Sequence, residues 1–187
     1  LRSRTEGRTV EVGRAMKEIE LRRHTANDGD ALTDEGVRAA VDIGRLLPGD
    51  YHLGVSSGAQ RATQTLACFL AGLGEPVPGG IIVVAALRSE VEPRWREAYQ
   101  RAGAGDLESL READPQLVEE DSARLAAGLR VVFDALPEGG RALAVGHSPT
   151  NEAAVFGLTG TVIAPLGKGE GVVVRATGES FTVEPIS

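Results

Sequence analysis

Strand-like and helix-like segments alternate along most of this chain, and this alternation restricts the possible folds more than any other feature. The predicted strands are residues 17–23, 53–56, 81–87 and 141–145, with a closing hairpin at 171–177 and 180–184. The predicted helices are residues 58–73, 115–136 and 149–158, and one that begins at Thr33 and ends before Pro48. Because strands that alternate with helices form a mostly parallel sheet covered on both faces, we expect an α/β three-layer sandwich.

Length and local composition predict one domain with a flanking extension. The chain has 187 residues, which is enough for one ordinary domain and few for two. Residues 1–15 are rich in arginine and lack apolar periodicity, so we expect an N-terminal extension there and the domain at 16–187. Residues 92–115 are polar and interrupt the alternation between the third and fourth predicted strands, with a helix broken into pieces.

Charge and cysteine content argue against several classes of partner. A formal net charge of −7 is unfavourable for binding nucleic acid or an anionic membrane surface, because both need a basic face. The longest apolar run, residues 81–87, is far shorter than the roughly 20 residues that a membrane-spanning helix needs. Cys68 is the only cysteine, so an intramolecular disulfide is impossible; this fits a reducing compartment and predicts a cytoplasmic location.

Two of the predicted helices begin at hydroxyl side chains that suit the cap position. Thr33 is expected to cap the first helix, whose apolar face would include Val37, Val41 and Leu46, with Ile43 a further candidate. Ser57 is expected to cap the second helix. Arg61 then lies about one turn into that helix, near the ends of the strands.

Polar side chains follow three of the predicted strands at the point where each strand ends. Arg23 and His24 end the first strand, Ser57 follows the second, and His147 follows the fourth. Ligands of open α/β sheets bind beyond the carboxyl ends of the strands. The sequence therefore predicts that His24, Arg61 and His147 lie close together.

Histidine and arginine in this arrangement indicate phosphoryl chemistry. A neutral imidazole nitrogen is a competent nucleophile near pH 7. Phosphoryl transfer depends mainly on positioning and on positive charge around the phosphate oxygens, and the planar arginine fork supplies both. Each residue also has a plainer explanation when taken alone: His24 as a buried structural histidine, Ser57 as a helix cap only, and His147 as a loop residue before a helix.

Three motifs occur in a fixed order along the chain. They are Arg23-His24 after a strand, Ser56-Ser57 with Arg61-Ala62-Thr63-Gln64-Thr65 on a helix, and Val145-Gly146-His147-Ser148-Pro149-Thr150 after a late strand. Together they resemble the histidine phosphatase superfamily, the clan that also contains the cofactor-dependent phosphoglycerate mutases, and they span residues 17–158. In size the chain is most similar to the small phosphohistidine phosphatase-like members. The resemblance implies a phosphoglycerate mutase-like fold.

The resemblance also implies a role for each matching residue. His24 is the expected nucleophile, which would carry the phosphoryl group transiently as phosphohistidine. Arg23 and Arg61 are expected to bind the phosphate oxygens, and His147 is expected to act in catalysis and to bind phosphate as well. Because the guanidinium groups would supply the positive charge, the resemblance implies neither a cofactor nor a metal.

Three alternatives stay open for the proton donor to the leaving group. In the family this acid usually follows the third strand, where Glu90 is the first candidate and Glu92 is its competitor. Some small phosphohistidine phosphatases have no such acid, because a histidine leaving group needs less protonation.

The chain departs from the family pattern at two positions near the expected site. Thr25 stands where the residue after the histidine is most often glycine, and Gly58 stands where many relatives have proline. Thr25 is tolerable if its backbone does not adopt a positive φ. Asn27 and Ser57 are possible substrate contacts, and residues 92–115 are the expected substrate cap.

These expectations converge on a metal-independent phosphatase that hydrolyses phosphomonoesters or phosphohistidine through His24. The expected partner is a phosphorylated small molecule or a phosphohistidine protein. One alternative is a mutase of the phosphoglycerate mutase type, which transfers phosphate within one substrate. The other is a non-catalytic module that binds a phosphorylated ligand without turnover.

Overall fold

The computed structural model describes residues 15–186 of the chain. Its strands are β1 (Lys17–Arg23), β2 (Asn27–Asp28), β3 (Ala31–Leu32), β4 (Leu53–Ser56), β5 (Ile81–Val83), β6 (Arg141–Gly146), β7 (Gly171–Thr177) and β8 (Ser180–Pro185). Its α-helices are α1 (Asp34–Gly44), α2 (Gln60–Leu73), α3 (Glu92–Ala102), α4 (Leu107–Ala113), α5 (Pro115–Ala135) and α6 (Thr150–Thr159). The predicted extension at residues 1–15 lies outside the described residues, apart from Ala15.

Six of the strands form one sheet in the order β5-β4-β6-β1-β7-β8. The pairs β4–β5, β4–β6 and β1–β6 are parallel, whereas β1–β7 and β7–β8 are antiparallel. Strands β2 and β3 form a separate short hairpin. The prediction of a mostly parallel sheet with a closing hairpin is confirmed.

Helices cover both faces of the sheet, which gives the predicted three layers. Along β6 the side chains alternate between two apolar clusters, as the period of a strand requires. Leu143 and Val145 pack with Leu66 and Phe69 of α2 on one face. Ala142 and Ala144 join the larger cluster on the other face, which also contains the buried side chains of α3, α4, α5 and α6.

Helix α1 begins as predicted, but it packs through a different face. The Thr33 hydroxyl accepts a hydrogen bond from Gly36 N at 3.1 Å, which confirms the cap. Val37 and Leu46 are 40% and 86% exposed, so the predicted apolar face is wrong at these two positions, whereas Val41 is half-buried and Ile43 packs against the core. Small residues bring α1 against α2 instead, since a Cβ added to Gly44 would lie 2.3 Å from a backbone oxygen of α2.

The predicted strand at residues 81–87 is only partly formed. β5 pairs with β4 alone, and the last pair joins Ser56 to Val83, where β4 ends. With no further partner strand, the chain turns into a short 3-10 helix at Ala85–Leu87. Ile81 and Val83 are exposed on this edge strand, whereas the chain beyond it is partly buried, so the prediction of a buried strand is wrong.

Helix α2 begins later than predicted, and Ser57 does not cap it. The cap position is Ala59, which has no side-chain hydrogen bond to the helix. An external carboxylate replaces the cap, because Gln60 N donates to Asp30 Oδ2 at 3.2 Å. Gly58 has a φ of +90°, which explains why glycine suits the turn that enters the helix.

Residues 92–115 contain α3 and α4, in agreement with a helix broken into pieces. A buried carboxylate fastens this segment to α5: Asp121 Oδ2 accepts hydrogen bonds from Trp95 Nε1 at 2.6 Å and from Ser89 Oγ at 2.7 Å. Among residues 15–186, none of the helices has the length and apolar character needed to cross a bilayer.

Candidate active site

The carboxyl ends of β1 and β6 bring the two motif histidines together. In the parallel register Arg23 lies beside Gly146, so the residues that follow them emerge side by side. The rings of His24 and His147 are 5.3 Å apart between centroids and tilted by 57°. Arg61 lies close enough for its charge to lower the pKa of both imidazoles. The predicted grouping of His24, Arg61 and His147 is therefore present in the structure.

His24 has the protonation state that a nucleophile needs. Its Nδ1 lies 2.8 Å from Thr25 O, and a carbonyl oxygen can only accept, so Nδ1 carries the proton and Nε2 the lone pair. Burial lowers the pKa of His24 to about 4, and the charges of Lys168, Arg61 and Arg23 act in the same direction. The ring is therefore neutral near pH 7.

Thr25 fits the position where the family usually has glycine. Asp50 is the only non-glycine residue with a positive φ between residues 15 and 186, so Thr25 carries no left-handed strain. Its hydroxyl donates to Gly36 O at 2.8 Å, and its backbone N–H donates to Thr65 Oγ1 at 3.2 Å. These bonds fix the turn after His24 against α1 and α2.

His147 is also buried, neutral and firmly placed. Its Nε2 is 2.8 Å from Ser57 Oγ, whereas its buried Nδ1 has no hydrogen-bond partner among the described residues. Burial is the main cause that lowers the pKa of His147 to about 3, and the charges of Arg61 and His24 lower it further. Asn151 fixes the segment, because its side chain accepts from His147 N at 3.2 Å and donates to Arg22 O at 3.1 Å.

The two predicted phosphate-binding arginines differ in their present partners. Arg23 Nη1 donates to Leu166 O at 2.7 Å, and the buried Arg23 Nε has no partner within residues 15–186. Arg61 Nη1 is paired with Asp30 Oδ1 at 2.6 Å, and the Arg61 side chain is 19% exposed. Arg23 therefore has free donor capacity, whereas an anion that binds Arg61 competes with an exposed carboxylate.

The structure separates the two candidate proton donors. Glu90 is 82% exposed, and its nearest cation is Arg124, at 3.9 Å. Glu92 instead lines a cavity of about 230 Å³ together with Arg61 and His147. Arg88 donates to Glu92 Oε1 at 2.6 Å, and this bond lowers the pKa of that carboxyl. Glu90 is thus not placed at the site, and Glu92 is placed there as a carboxylate.

The cavity extends the site from His147 toward the predicted cap. Besides Glu92, Arg61 and His147, its walls are formed by the beginning of α6 and by one side of α3. The remaining lining residues are Ser89, Trp95, Arg96, Tyr99, Ser148, Pro149 and Thr150. Three of these lining residues, Trp95, Arg96 and Tyr99, come from the segment predicted as the cap.

Three further charged residues belong to the site, although the sequence did not single them out. Lys168 Nζ donates to Asn27 Oδ1 at 2.6 Å and its charge reaches His24. Asp30 pairs with Arg61, and Arg88 pairs with Glu92. Only one feature of the sequence could have indicated Lys168, namely its position in a glycine-rich turn directly before a strand. The possible contact residues Asn27 and Ser57 are both placed near the site, bonded to Lys168 and to His147.

Within residues 15–186, no group of three or more His, Cys, Asp or Glu side chains has the arrangement of a metal site. The positive charge around His24 comes from arginine and lysine side chains.

Several solved structures with the same architecture bear the names of enzymes that act on phosphorylated compounds. A phosphoglycerate mutase from Bacillus anthracis str. Sterne is 19% identical, with a TM-score of 0.67 over 94% of this chain and 95% of that chain. A mycobacterial glucosyl-3-phosphoglycerate phosphatase is 15% identical, with a TM-score of 0.68 over 91% and 98%. A phosphoserine phosphatase from Entamoeba histolytica, in complex with 3-phosphoglyceric acid, is 16% identical, with a TM-score of 0.60 over 89% and 96%.

These similarities identify the fold. The chain has the phosphoglycerate mutase-like α/β fold, and the fold predicted from the three motifs is confirmed. No family model and no curated protein matches the chain by sequence.

Proposed function

We propose that this chain is a histidine phosphatase of the phosphoglycerate mutase-like clan, which hydrolyses phosphorylated substrates through a phosphohistidine on His24. The observation that supports the proposal most is the state of His24, a buried neutral imidazole whose Nε2 keeps its lone pair near Arg23 and Lys168, neither of which forms an ion pair within residues 15–186. Fixed cations and a positioned nucleophile are what phosphoryl transfer requires.

In the proposed first step His24 Nε2 attacks phosphorus, and the bond to the leaving group breaks on the opposite side. Arg23 and Arg61 bind the equatorial oxygens, and His147, whose ring lines the cavity, donates a further hydrogen bond to them. Arg61 leaves Asp30 for the phosphate. In the second step water attacks the phosphohistidine, which releases inorganic phosphate and restores the neutral imidazole. No step in this scheme uses a metal.

The paired state of Glu92 favours one class of substrate. A carboxyl held as a carboxylate by Arg88 is a poor proton donor. Leaving groups that depart with little protonation, such as the imidazole of phosphohistidine or a phenolate, are therefore favoured over alkoxides. We place the donor for the more demanding substrates at Glu92 and not at Glu90, because only Glu92 lines the cavity.

The test is hydrolysis of p-nitrophenyl phosphate in the presence of a chelator, with the matched variants His24→Ala and His52→Ala. His52 is the chain's third histidine and lies outside the site. We expect turnover in the wild type and in His52→Ala, and loss of at least about 1,000-fold in His24→Ala. Denaturation at alkaline pH, where the N–P bond of phosphohistidine is stable, should trap phosphate on the wild type and on His52→Ala but not on His24→Ala. Equal turnover in wild type and His24→Ala would overturn the mechanism.

Two further measurements, dependence on a bisphosphorylated primer and binding of phosphate, separate the two alternatives. A mutase would need a bisphosphorylated primer and would return phosphate to the substrate instead of to water. A binding module would bind phosphate with no turnover of any ester. The cytoplasmic location, and a phosphorylated small molecule or phosphohistidine protein as partner, stay predictions.

A further inference from the structure

The turn between α6 and β7 lies directly against the nucleophile segment. Gly169 N donates to Arg23 O at 3.1 Å and to His24 O at 3.4 Å. Gly169 has a φ of +77°, a conformation that glycine adopts without strain and that allows this close approach. The residue before it, Lys168, is therefore carried to the end of β1.

The turn is also fixed at its other end. Leu166 O accepts from Arg23 Nη1 at 2.7 Å, and Leu166 N donates to the buried Glu152 carboxylate at 2.8 Å. Within the turn, Gly167 N donates to Glu170 Oε2 at 2.7 Å. Lys168 thus projects from a backbone held by hydrogen bonds on both sides, and its position is set by the same residues that position Arg23.

The ammonium of Lys168 has a neutral partner only. Its Nζ donates to Asn27 Oδ1 at 2.6 Å, and within residues 15–186 no carboxylate forms an ion pair with it. The other lysine of the chain, Lys17, lies 3.9 Å from Glu138. Partial burial and the charges of Arg23 and Arg61 lower the pKa of Lys168 to about 8. A cation crowded by other cations, with no anion beside it, has the surroundings of a group that binds an anionic ligand.

We propose that Lys168 is a substrate-binding residue, whose ammonium leaves Asn27 and donates a hydrogen bond to an oxygen of the phosphoryl group attacked by His24. This assignment rests on the proposed function and adds a third cation to Arg23 and Arg61. The exchange replaces an amide acceptor by a charged phosphate oxygen, which makes a stronger hydrogen bond. It also frees the Asn27 side chain to contact the rest of the substrate.

The direct test measures binding of inorganic phosphate at pH 7 by isothermal titration calorimetry. We expect Lys168→Met to weaken phosphate binding by roughly 10-fold to 100-fold, because one hydrogen bond between charged groups is lost. Arg45→Met is the matched control, since it also removes one positive charge, from an exposed ion pair with Asp42. Arg45→Met should bind phosphate as the wild type does.

A pH profile distinguishes a binding lysine from a merely structural one. The profile of kcat/KM reports ionisations of the free enzyme, so the wild type should lose activity above about pH 8 as Lys168 loses its proton. Lys168→Arg keeps its charge in this range and should retain activity at higher pH. Lys168→Met should have low activity and no alkaline decline from this group.

The outcomes separate this inference from the proposed function. The inference alone would be overturned if the wild type turned over substrate and Lys168→Met kept the wild-type phosphate affinity and the wild-type decline of activity at alkaline pH. Weakened phosphate binding in Lys168→Met, in a protein without turnover, would support the lysine and overturn the phosphatase. A wild type that neither binds nor releases phosphate would overturn both.

Discussion

Two charged clusters lie next to each other on β1 and differ in how their charges are compensated. The closed cluster consists of Glu20, Arg22, Tyr51 and Arg141. The open cluster consists of Arg23, His24, Arg61, His147 and Lys168. Because consecutive strand residues point to opposite faces, neighbouring arginines of one strand take part in different clusters.

In the closed cluster each charged group lies beside an opposite charge or an aromatic ring, although the buried Arg141 Nε has no hydrogen-bond partner within residues 15–186. Arg22 Nε lies 2.7 Å from Glu20 Oε1, and Tyr51 OH donates to Glu20 Oε2 at 2.5 Å. The Arg141 guanidinium lies over the Tyr51 ring, 5.6 Å from its centroid. Glu20 is only 2% exposed, so these bonds offset the cost of burying its charge.

In the open cluster the positive charges outnumber their partners. Arg23 Nε and His147 Nδ1 are buried with no hydrogen-bond partner within residues 15–186, and Lys168 bonds to an amide oxygen. Buried polar groups without partners are costly to the fold, so their persistence needs another explanation. The proposed binding of a phosphate group would explain them, because its oxygens would accept hydrogen bonds from donors that the protein leaves free.

The largest contrast is expected between Arg23→Met and Tyr51→Phe. Arg23→Met should lower kcat/KM by about 100-fold to 1,000-fold, the usual loss when one donor to a developing anion is removed. Its free energy of unfolding should change by no more than about 1 kcal/mol, because the lost bond to Leu166 O is offset by removal of an unpartnered Nε. Steady-state kinetics and urea denaturation measure the two effects.

Tyr51→Phe should have the opposite profile. The substitution leaves a buried Glu20 oxygen without its donor, which should lower the free energy of unfolding by about 1–3 kcal/mol. Its kcat/KM should equal that of the wild type. If Arg23→Met unfolded the protein, or if Tyr51→Phe impaired turnover, the division into closed and open clusters would be wrong.

A smaller effect is expected at the acid that borders the open cluster. Glu92→Gln should lower the rate on an alkyl phosphate by no more than about 100-fold, the low end of general acid catalysis, because Arg88 keeps most of the Glu92 carboxyl deprotonated. The rate on p-nitrophenyl phosphate should hardly change, because that leaving group departs as an anion. Glu90→Gln is the matched control, and both rates should stay at the wild-type value.

The ratio of the alkyl rate to the aryl rate is the decisive quantity. A drop in this ratio for Glu90→Gln, with Glu92→Gln unaffected, would return the donor to the first candidate of the sequence. A ratio unchanged in both variants would point to the third possibility, a site without a donor acid.

The parts of this molecule that were predicted correctly share one physical basis. The limits of β1 and β4, the hairpin and the grouping of the two histidines follow from local apolar patterns and from the rule that strand ends meet. The errors arise where a contact between elements that are distant in the sequence determines the local structure. Gly44 allows α1 to approach α2 closely, which no apolar periodicity shows. Asp30 accepts a hydrogen bond from the first residue of α2 from outside the helix, and Ser57 bonds His147 instead of capping α2.

Lys168 illustrates the same limit within the site. Its neighbours along the chain are glycines, and it is separated from His24 by most of the sequence. Only the antiparallel pairing of β7 with β1 places the turn before β7 at the end of β1. A motif search restricted to strand-end residues of the parallel strands therefore cannot find it.

The smallest expected effect is a dependence of stability on pH that belongs to the open cluster. Burial first, and neighbouring charges next, lower the pKa values of His24 and His147 from 6.5 to about 4 and about 3. Between these values and 6.5 the unfolded chain binds more protons than the folded protein, so stability is complete above about pH 6.5 and declines as the pH falls. When the pH falls from 7 to 5.5, the free energy of unfolding should decrease by about 1 kcal/mol for each of the two histidines.

Urea denaturation of the double variant His24→Asn, His147→Asn isolates this contribution, because asparagine does not titrate. Its loss of stability between pH 7 and pH 5.5 should be smaller than that of the wild type by the contribution of both histidines. Tyr51→Phe, altered in the closed cluster only, should keep the wild-type pH dependence at a lower overall stability. A double variant as acid-sensitive as the wild type would mean that the two imidazoles already accept protons in the folded protein. His24 would then be charged in mildly acidic solution and unable to act as a nucleophile there.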